Sequence, residues 1–130
     1  MKIHRLGIAV SNLNWSLNHY KKSLGWTNKS NIVFDPIQNV NIIFMGDENG
    51  VLYELIEPVD ETSPVFNLLK RRTSLYHFCY EVKDIDAKIK KLSGNGFFLI
   101  SGPVPAVAFN GRRVAFLINQ DNLTIELVEL

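Results

Sequence analysis

The tetrapeptide Glu54-Leu-Ile-Glu57 returns 72 residues later as Glu126-Leu-Val-Glu129, and much of the chain shares that offset. Val10-Ser-Asn-Leu13 lands on Val82-Lys-Asp-Ile85, Leu17 on Ile89 and Phe44 on Phe116. Gly25 matches Gly96 at an offset of 71, so only a small slip near the helix ends is needed. Two copies at so long a period describe a duplicated module rather than a solenoid. A chain built this way has to fold as two related units.

The elements within each copy follow from pattern. Ile3–Val10 alternates and is rich in β-formers, which reads as a strand. Ser11 or Asn12 caps a helix from about Asn14 to Leu24, with Trp15, Leu17, Tyr20 and Leu24 spaced for one apolar side and Gly25 closing it. Strands are expected at Trp26–Phe34, Val40–Met45 and Val51–Ile56, parted by Asp35-Pro36 and by Gly46-Asp-Glu-Asn-Gly50. A connector with Pro58 and Pro64 follows, in which Val65–Lys70 forms a turn or two of helix. The order then restarts. Leu75–Val82 reads as a strand, Ile85–Leu92 as a helix capped by Asp84, and Phe97–Ile100, Arg112–Ile118 and Leu123–Glu129 as strands. Gly102–Gly111 reads as a loop over a cavity mouth. The expected fold is α+β, with two βαβββ modules forming a cup-shaped mixed sheet around one cavity. Module one covers about 1–58, the connector about 59–73 and module two about 74–130.

The composition narrows the function. A formal net charge of +1 gives no electrostatic reason for nucleic acid or an anionic membrane as partner. The longest apolar runs are too short to span a bilayer, and the opening Met-Lys-Ile-His-Arg enters strand pattern at once, without a signal peptide. The single cysteine, Cys79, excludes an internal disulfide, a zinc ribbon and a CxxC redox site, and fits a reducing cytoplasm. There is no Gly-rich phosphate loop and no hydrolase elbow. A cytoplasmic protein acting on a small molecule is expected.

The duplication also sorts the polar residues. Arg5 is equivalent to His77, and Glu54 to Glu126. Strand alternation puts Arg5 with Ile3, Gly7 and Ala9, and His77 with Leu75, Cys79 and Glu81. The bulkier face of each strand is expected under the helices, leaving Arg5 and His77 on the concave side. For any one of the four residues alone, an ordinary strand position is the better reading. Four charged or polar groups related by one operation favour convergence on one ligand site, because burying such groups without partners costs several kcal/mol. Cys79 shares the His77 face and is read as lining. Of Arg112 and Arg113, which alternate faces, one enters the cavity and binds a substrate anion, or both are solvated turn residues. Trp15 and Trp26 are read as packing the first helix on its sheet, and His19 as a surface or rim residue.

Leu6-Gly-Ile-Ala-Val-Ser-Asn-Leu13, Tyr53-Glu-Leu-Ile-Glu-Pro58, Tyr76-His-Phe-Cys-Tyr-Glu-Val82 and Ile125-Glu-Leu-Val128, in that order over nearly the whole chain, resemble the vicinal oxygen chelate superfamily. The likeness is nearest to glyoxalase-I-like proteins and methylmalonyl-CoA epimerase. The resemblance implies a lyase or isomerase acting next to a carbonyl, commonly a homodimer, with a divalent metal (Ni, Zn, Co or Mn) on four side chains. Glu54, His77 and Glu126 fall on three of those ligand positions, and would be the catalytic groups. Arg5 falls on the fourth, one residue after His4. Arginine has no lone pair to donate, so it would repel the cation or replace it by bridging Glu54 and Glu126. Absence of a tight metal is the expectation, with Arg5 and Arg113 binding substrate. The glutamate base that the epimerase-like enzymes carry on the third strand is also missing, since Asn41, Ile42 and Ile43 stand there. The same two departures suit the alternative reading, a non-catalytic protein of this fold that sequesters a small molecule.

Overall fold

The computed structural model describes all 130 residues, Met1–Leu130. They form two compact units, Arg5–Tyr76 and Met1–His4 with His77–Leu130. The strands are β1 (Lys2–Ala9), β2 (Thr27–Asn28), β3 (Val33–Asp35), β4 (Val40–Gly46), β5 (Leu52–Pro58), β6 (Leu75–Val82), β7 (Phe97–Pro105), β8 (Arg113–Asn119) and β9 (Thr124–Glu129). The helices are α1 (Leu13–Leu24), α2 (Phe66–Lys70) and α3 (Ile85–Ser93).

In the first unit the sheet runs β2-β4-β5-β1, with β3 also paired to β4. In the second it runs β6-β9-β8-β7. Each unit joins its first and last strands in parallel, β1 with β5 and β6 with β9, and adds an antiparallel neighbour to the last strand. The second unit is the βαβββ module the repeat requires, and the first differs in having two short strands, β2 and β3, where the second has β7, in an α+β architecture.

The two cores repeat at the same offset. In the first, Val10, Leu13, Leu17, Ile43, Met45 and Leu55 pack together, with Ile8 and Tyr20 against them. In the second the set is Val82, Ile85, Ala115, Leu117, Ile125 and Leu127, with Tyr80, Ile89 and Leu92. Odd-numbered residues of β4, β5, β8 and β9 thus face the helix, and alternation turns Phe44, Glu54, Phe116 and Glu126 to the opposite face.

Polar anchoring repeats as well. Asn12 Oδ1 accepts from Trp15 N–H, and Asp84 Oδ1 accepts from Ala87 N–H. Gly25, at φ +72°, closes α1 in the left-handed conformation that glycine adopts without strain. Glu57 Oε2 accepts from Leu13 N–H at 2.7 Å, and Glu129 Oε2 from Ile85 N–H at 3.0 Å. Asp47 Oδ1 holds the amides of Asn49 and Val51, as Asn119 Oδ1 holds those of Asp121 and Leu123. The second glutamate of each Glu-Leu-X-Glu motif therefore ties the last strand to the start of the helix.

One pair departs from the mirror. Asn41 donates to Glu57 Oε1 at 3.1 Å, whereas its equivalent Arg113 grips Glu129 through Nε and Nη2, at 3.0 and 2.9 Å, and also reaches Asp86. This guanidinium, with the Ile85 N–H, holds the Glu129 carboxyl below its ordinary 4.5. A carboxyl with a depressed folded-state pKa stabilises the fold above its unfolded pKa, and that contribution is lost as pH falls through the folded value. Urea unfolding of Arg113→Met should show lower stability than the parent at pH 7, with the gap closing in acid as pH falls below 4.5 and through the depressed Glu129 value.

Several expectations are revised. Trp15 is 62% exposed and stacks on His19 rather than packing under the sheet; Leu24 is exposed too, and the buried side of α1 is Leu13, Ser16 and Leu17. Trp26 does pack inward, stacked on Tyr53 at 3.8 Å. The stretch Trp26–Phe34 is not one strand but two short ones, β2 and β3, because Lys29-Ser-Asn31 breaks its apolar pattern. β7 extends through Pro105 into the expected loop, which leaves only a 3₁₀ turn at Val107–Phe109 and the turn after it. Proline is tolerated there because β7 is an edge strand and lacks an outer partner for its N–H groups.

The register of β7 on β8 shifts on either side of Ser101. Gly102 sits in that irregular stretch at φ +86°, and a Cβ there would lie 2.4 Å from the Val114 carbonyl oxygen. Gly102→Ala is expected to destabilise the protein by about 1–3 kcal/mol, through backbone strain and that collision. Thermal unfolding beside Gly111→Ala checks the assignment. Gly111 shares the positive φ (+79°) but has nothing within 4 Å, so it should lose less.

Candidate functional site

Strand register assembles a polar pair in each unit. Glu54 lies opposite Gly7 on β1 and opposite Phe44 on β4. Its equivalent Glu126 lies opposite Cys79 on β6 and Phe116 on β8. Residues opposite one another share a face, and so do residues two apart on one strand. Arg5, two residues before Gly7, therefore falls beside Glu54, and His77, two before Cys79, falls beside Glu126.

The side chains meet where the register sends them. In the first unit Arg5 Nε donates to Glu54 Oε1 at 3.2 Å, and the guanidinium carbon stands 5.8 Å from the Phe44 ring centroid. In the second unit His77 Nε2 lies 2.7 Å from Glu126 Oε2, and the imidazole meets the Phe116 ring edge-on with centroids 5.3 Å apart.

All four residues are buried, none more than 3% exposed. Ionisable groups this deep persist only with partners. A guanidinium against a carboxylate supplies a fixed positive charge, and an imidazole against a carboxylate supplies a proton donor and acceptor.

The other predicted site residues lie as follows. Cys79 is fully buried, opposite Glu126. Arg113 is held by Glu129 and Asp86 at the start of α3, a helix-anchoring contact that sequence reasoning did not foresee. The 72-residue equivalence with Asn41 and Glu57 was its available signal. Arg112 lies against the Phe109 ring. His4 lies 3.9 Å from Glu81 and edge-on to Phe109, a different setting from that of Arg5. Ile42 and Ile43 are buried apolar residues, and the Asn41 amide is used by Glu57. Among the helices, none is long and apolar enough to cross a membrane.

Comparison with known proteins matches this layout. The family model described as Glyoxalase/Bleomycin resistance protein/Dioxygenase superfamily matches residues 4–116. A mitochondrial methylmalonyl-CoA epimerase of Dictyostelium discoideum is 34% identical over 131 residues, covering 99% of this chain and 76% of its own. An ethylmalonyl-CoA/methylmalonyl-CoA epimerase of Cereibacter sphaeroides is 29% identical, over 92% of this chain and 90% of its own. The crystal structure of a hypothetical protein from Bacillus halodurans C-125 superposes with a TM-score of 0.85 at 30% identity, covering 99% of this chain and 94% of that one.

Proposed function

The chain belongs to the glyoxalase/bleomycin resistance protein/dioxygenase superfamily, and from that premise we propose that it is an isomerase of the acyl-CoA epimerase kind, moving a proton on the carbon next to a thioester carbonyl. The observation that carries this reading is the repeated burial of a carboxylate with a cationic or imidazole partner at equivalent positions of the two modules. A cup that only enclosed an apolar molecule would need no such groups.

The chemistry follows from the partners. One carboxylate, Glu54 or Glu126, takes the α-proton as the C–H bond breaks, and the electron pair moves onto the carbonyl oxygen as an enolate. The Arg5 guanidinium stabilises that negative charge. The group on the other side of the carbon returns a proton, so the configuration inverts and no net proton is consumed. Positioned acid–base groups of this kind contribute about 10²–10⁴-fold each.

Glu54, His77 and Glu126 each offer one ligand atom of the type a divalent cation takes. The fourth member of the set does not fit. Arg5 has no lone pair and already places its positive charge on Glu54. The residues present therefore do not make the four-ligand metal site of the resemblance, and the proton transfers above are assigned to side chains alone.

Incubation with methylmalonyl-CoA in heavy water tests the reading. Incorporation of deuterium at the α-carbon, unchanged after dialysis against EDTA, is the expected result. If no acyl-CoA thioester exchanges its α-proton, the reading as an isomerase is wrong. Binding without exchange would instead support a sequestering protein, which the apolar Ile42 and Ile43 on β4 already favour as the second reading.

A further inference from the structure

A groove of about 220 Å³ lies beside α1 and the connector, lined by residues that include Ser11, Ser16, Tyr20, Arg72 and Thr73. All of them belong to the first unit. Ser16 is the unusual member. It is only 5% exposed, it faces this groove, and its hydroxyl makes no hydrogen bond within the protein. With the rest of the side chain buried, that hydroxyl is left facing the groove as a fixed donor.

Arg72 adds charge at the same place. Its backbone is left-handed, at φ +59°, a conformation costly for a non-glycine residue. It is pinned there because the N–H groups of Arg72 and Thr73 donate to Leu69 and Leu68 carbonyls as α2 ends. Its guanidinium forms no ion pair with any carboxylate. Ala9 N–H donates to the Ser74 carbonyl, fixing the connector against the end of β1. The helix amides are not the donors in this groove, since Glu57 and Asn12 already hold those of Leu13 and Trp15.

We propose that this groove binds a phosphoryl group, with Arg72 providing charge and Ser16, Ser11 and Thr73 providing hydroxyl donors. Hydroxyls approaching from several sides suit a tetrahedral oxyanion better than a planar carboxylate, and an arginine fork matches phosphate oxygens. The second module has a groove at the equivalent place, where Lys83 and Lys88 replace Ser11 and Ser16 but Glu81 and Asp84 also line it, so the anion site is assigned to the first module alone. The site stands apart from the acid–base residues and does not depend on the isomerase reading.

Inorganic phosphate is the probe, followed by ³¹P line broadening and by thermal shift, with sodium chloride at equal ionic strength as control. Saturable binding at one site per chain is expected, weakened at least about tenfold in Arg72→Gln and in Ser16→Val. Because valine at a buried position can disturb packing, Ser16→Ala is measured alongside, with circular dichroism to confirm folding; it should weaken binding in the same direction. Coenzyme A separates the two sources of the phosphoryl group. If it displaces phosphate, the groove holds the phosphorylated handle of a larger ligand; if both bind together, the ligand is free phosphate. A response equal to that of chloride, or one unchanged in Arg72→Gln and both folded Ser16 variants, overturns the proposal.

Discussion

Glu54→Ala is expected to destabilise the protein by about 3–5 kcal/mol, the loss found when one member of a buried ion pair is removed. The Arg5 side chain is fully buried and Glu54 nearly so, so alanine would leave a guanidinium that cannot lose its proton without its carboxylate. The double variant Arg5→Met with Glu54→Leu should recover most of that loss, because an apolar pair of similar volume needs no desolvation. Equilibrium urea unfolding of parent, single and double variants measures both steps. A single variant within about 0.5 kcal/mol of the parent would mean that water reaches the pair. A double variant no better than the single would mean that Phe44 and Gly7 are packed too closely around the pair to accept the exchange.

The largest effect on activity is expected at Glu126. Glu126→Gln keeps the size of the side chain and removes its capacity to take a proton, and should lower α-proton exchange by about 10²–10⁴-fold. His77→Gln should lower it as well, because the imidazole contact that supports the carboxylate goes with it. The informative comparison is with Glu54→Gln. If both glutamates act, one on each side of the substrate carbon, either variant slows racemisation, while exchange from a single enantiomer survives in one of them. Equal and complete loss in both would assign the two groups to one step. Full activity in Glu126→Gln would remove the second module from the chemistry.

Much of this was legible in the sequence because duplication fixes positions that composition leaves open. Asn12 and Asp84 were readable as caps, Gly25 as a stop, and Arg5 with His77 and Glu54 with Glu126 as equivalent positions of the two modules, since each follows from strand alternation or from the 72-residue offset. What escaped depended on contacts between segments. Trp15 fits the apolar spacing of α1 as well as Leu13 does, but the helix packs through its first turn, where Glu57 holds the Leu13 amide. β7 could not be followed past Gly102-Pro103, because two prolines in a strand are acceptable only if that strand lies at an edge. The second glutamate of each motif was visible, yet its task of tying strand to helix depends on which helix start it meets.

The exchange of Asn41 for Arg113 divides the two modules in how they respond to their surroundings. The α1 anchor in the first module pairs Glu57 with a neutral amide; the α3 anchor in the second joins a carboxylate to a guanidinium that is also close to Asp86. Salt screens charges at a part-exposed contact such as the second. Added salt therefore loosens α3 before α1, and two copies of one ancestral unit come to differ in their response to ionic strength.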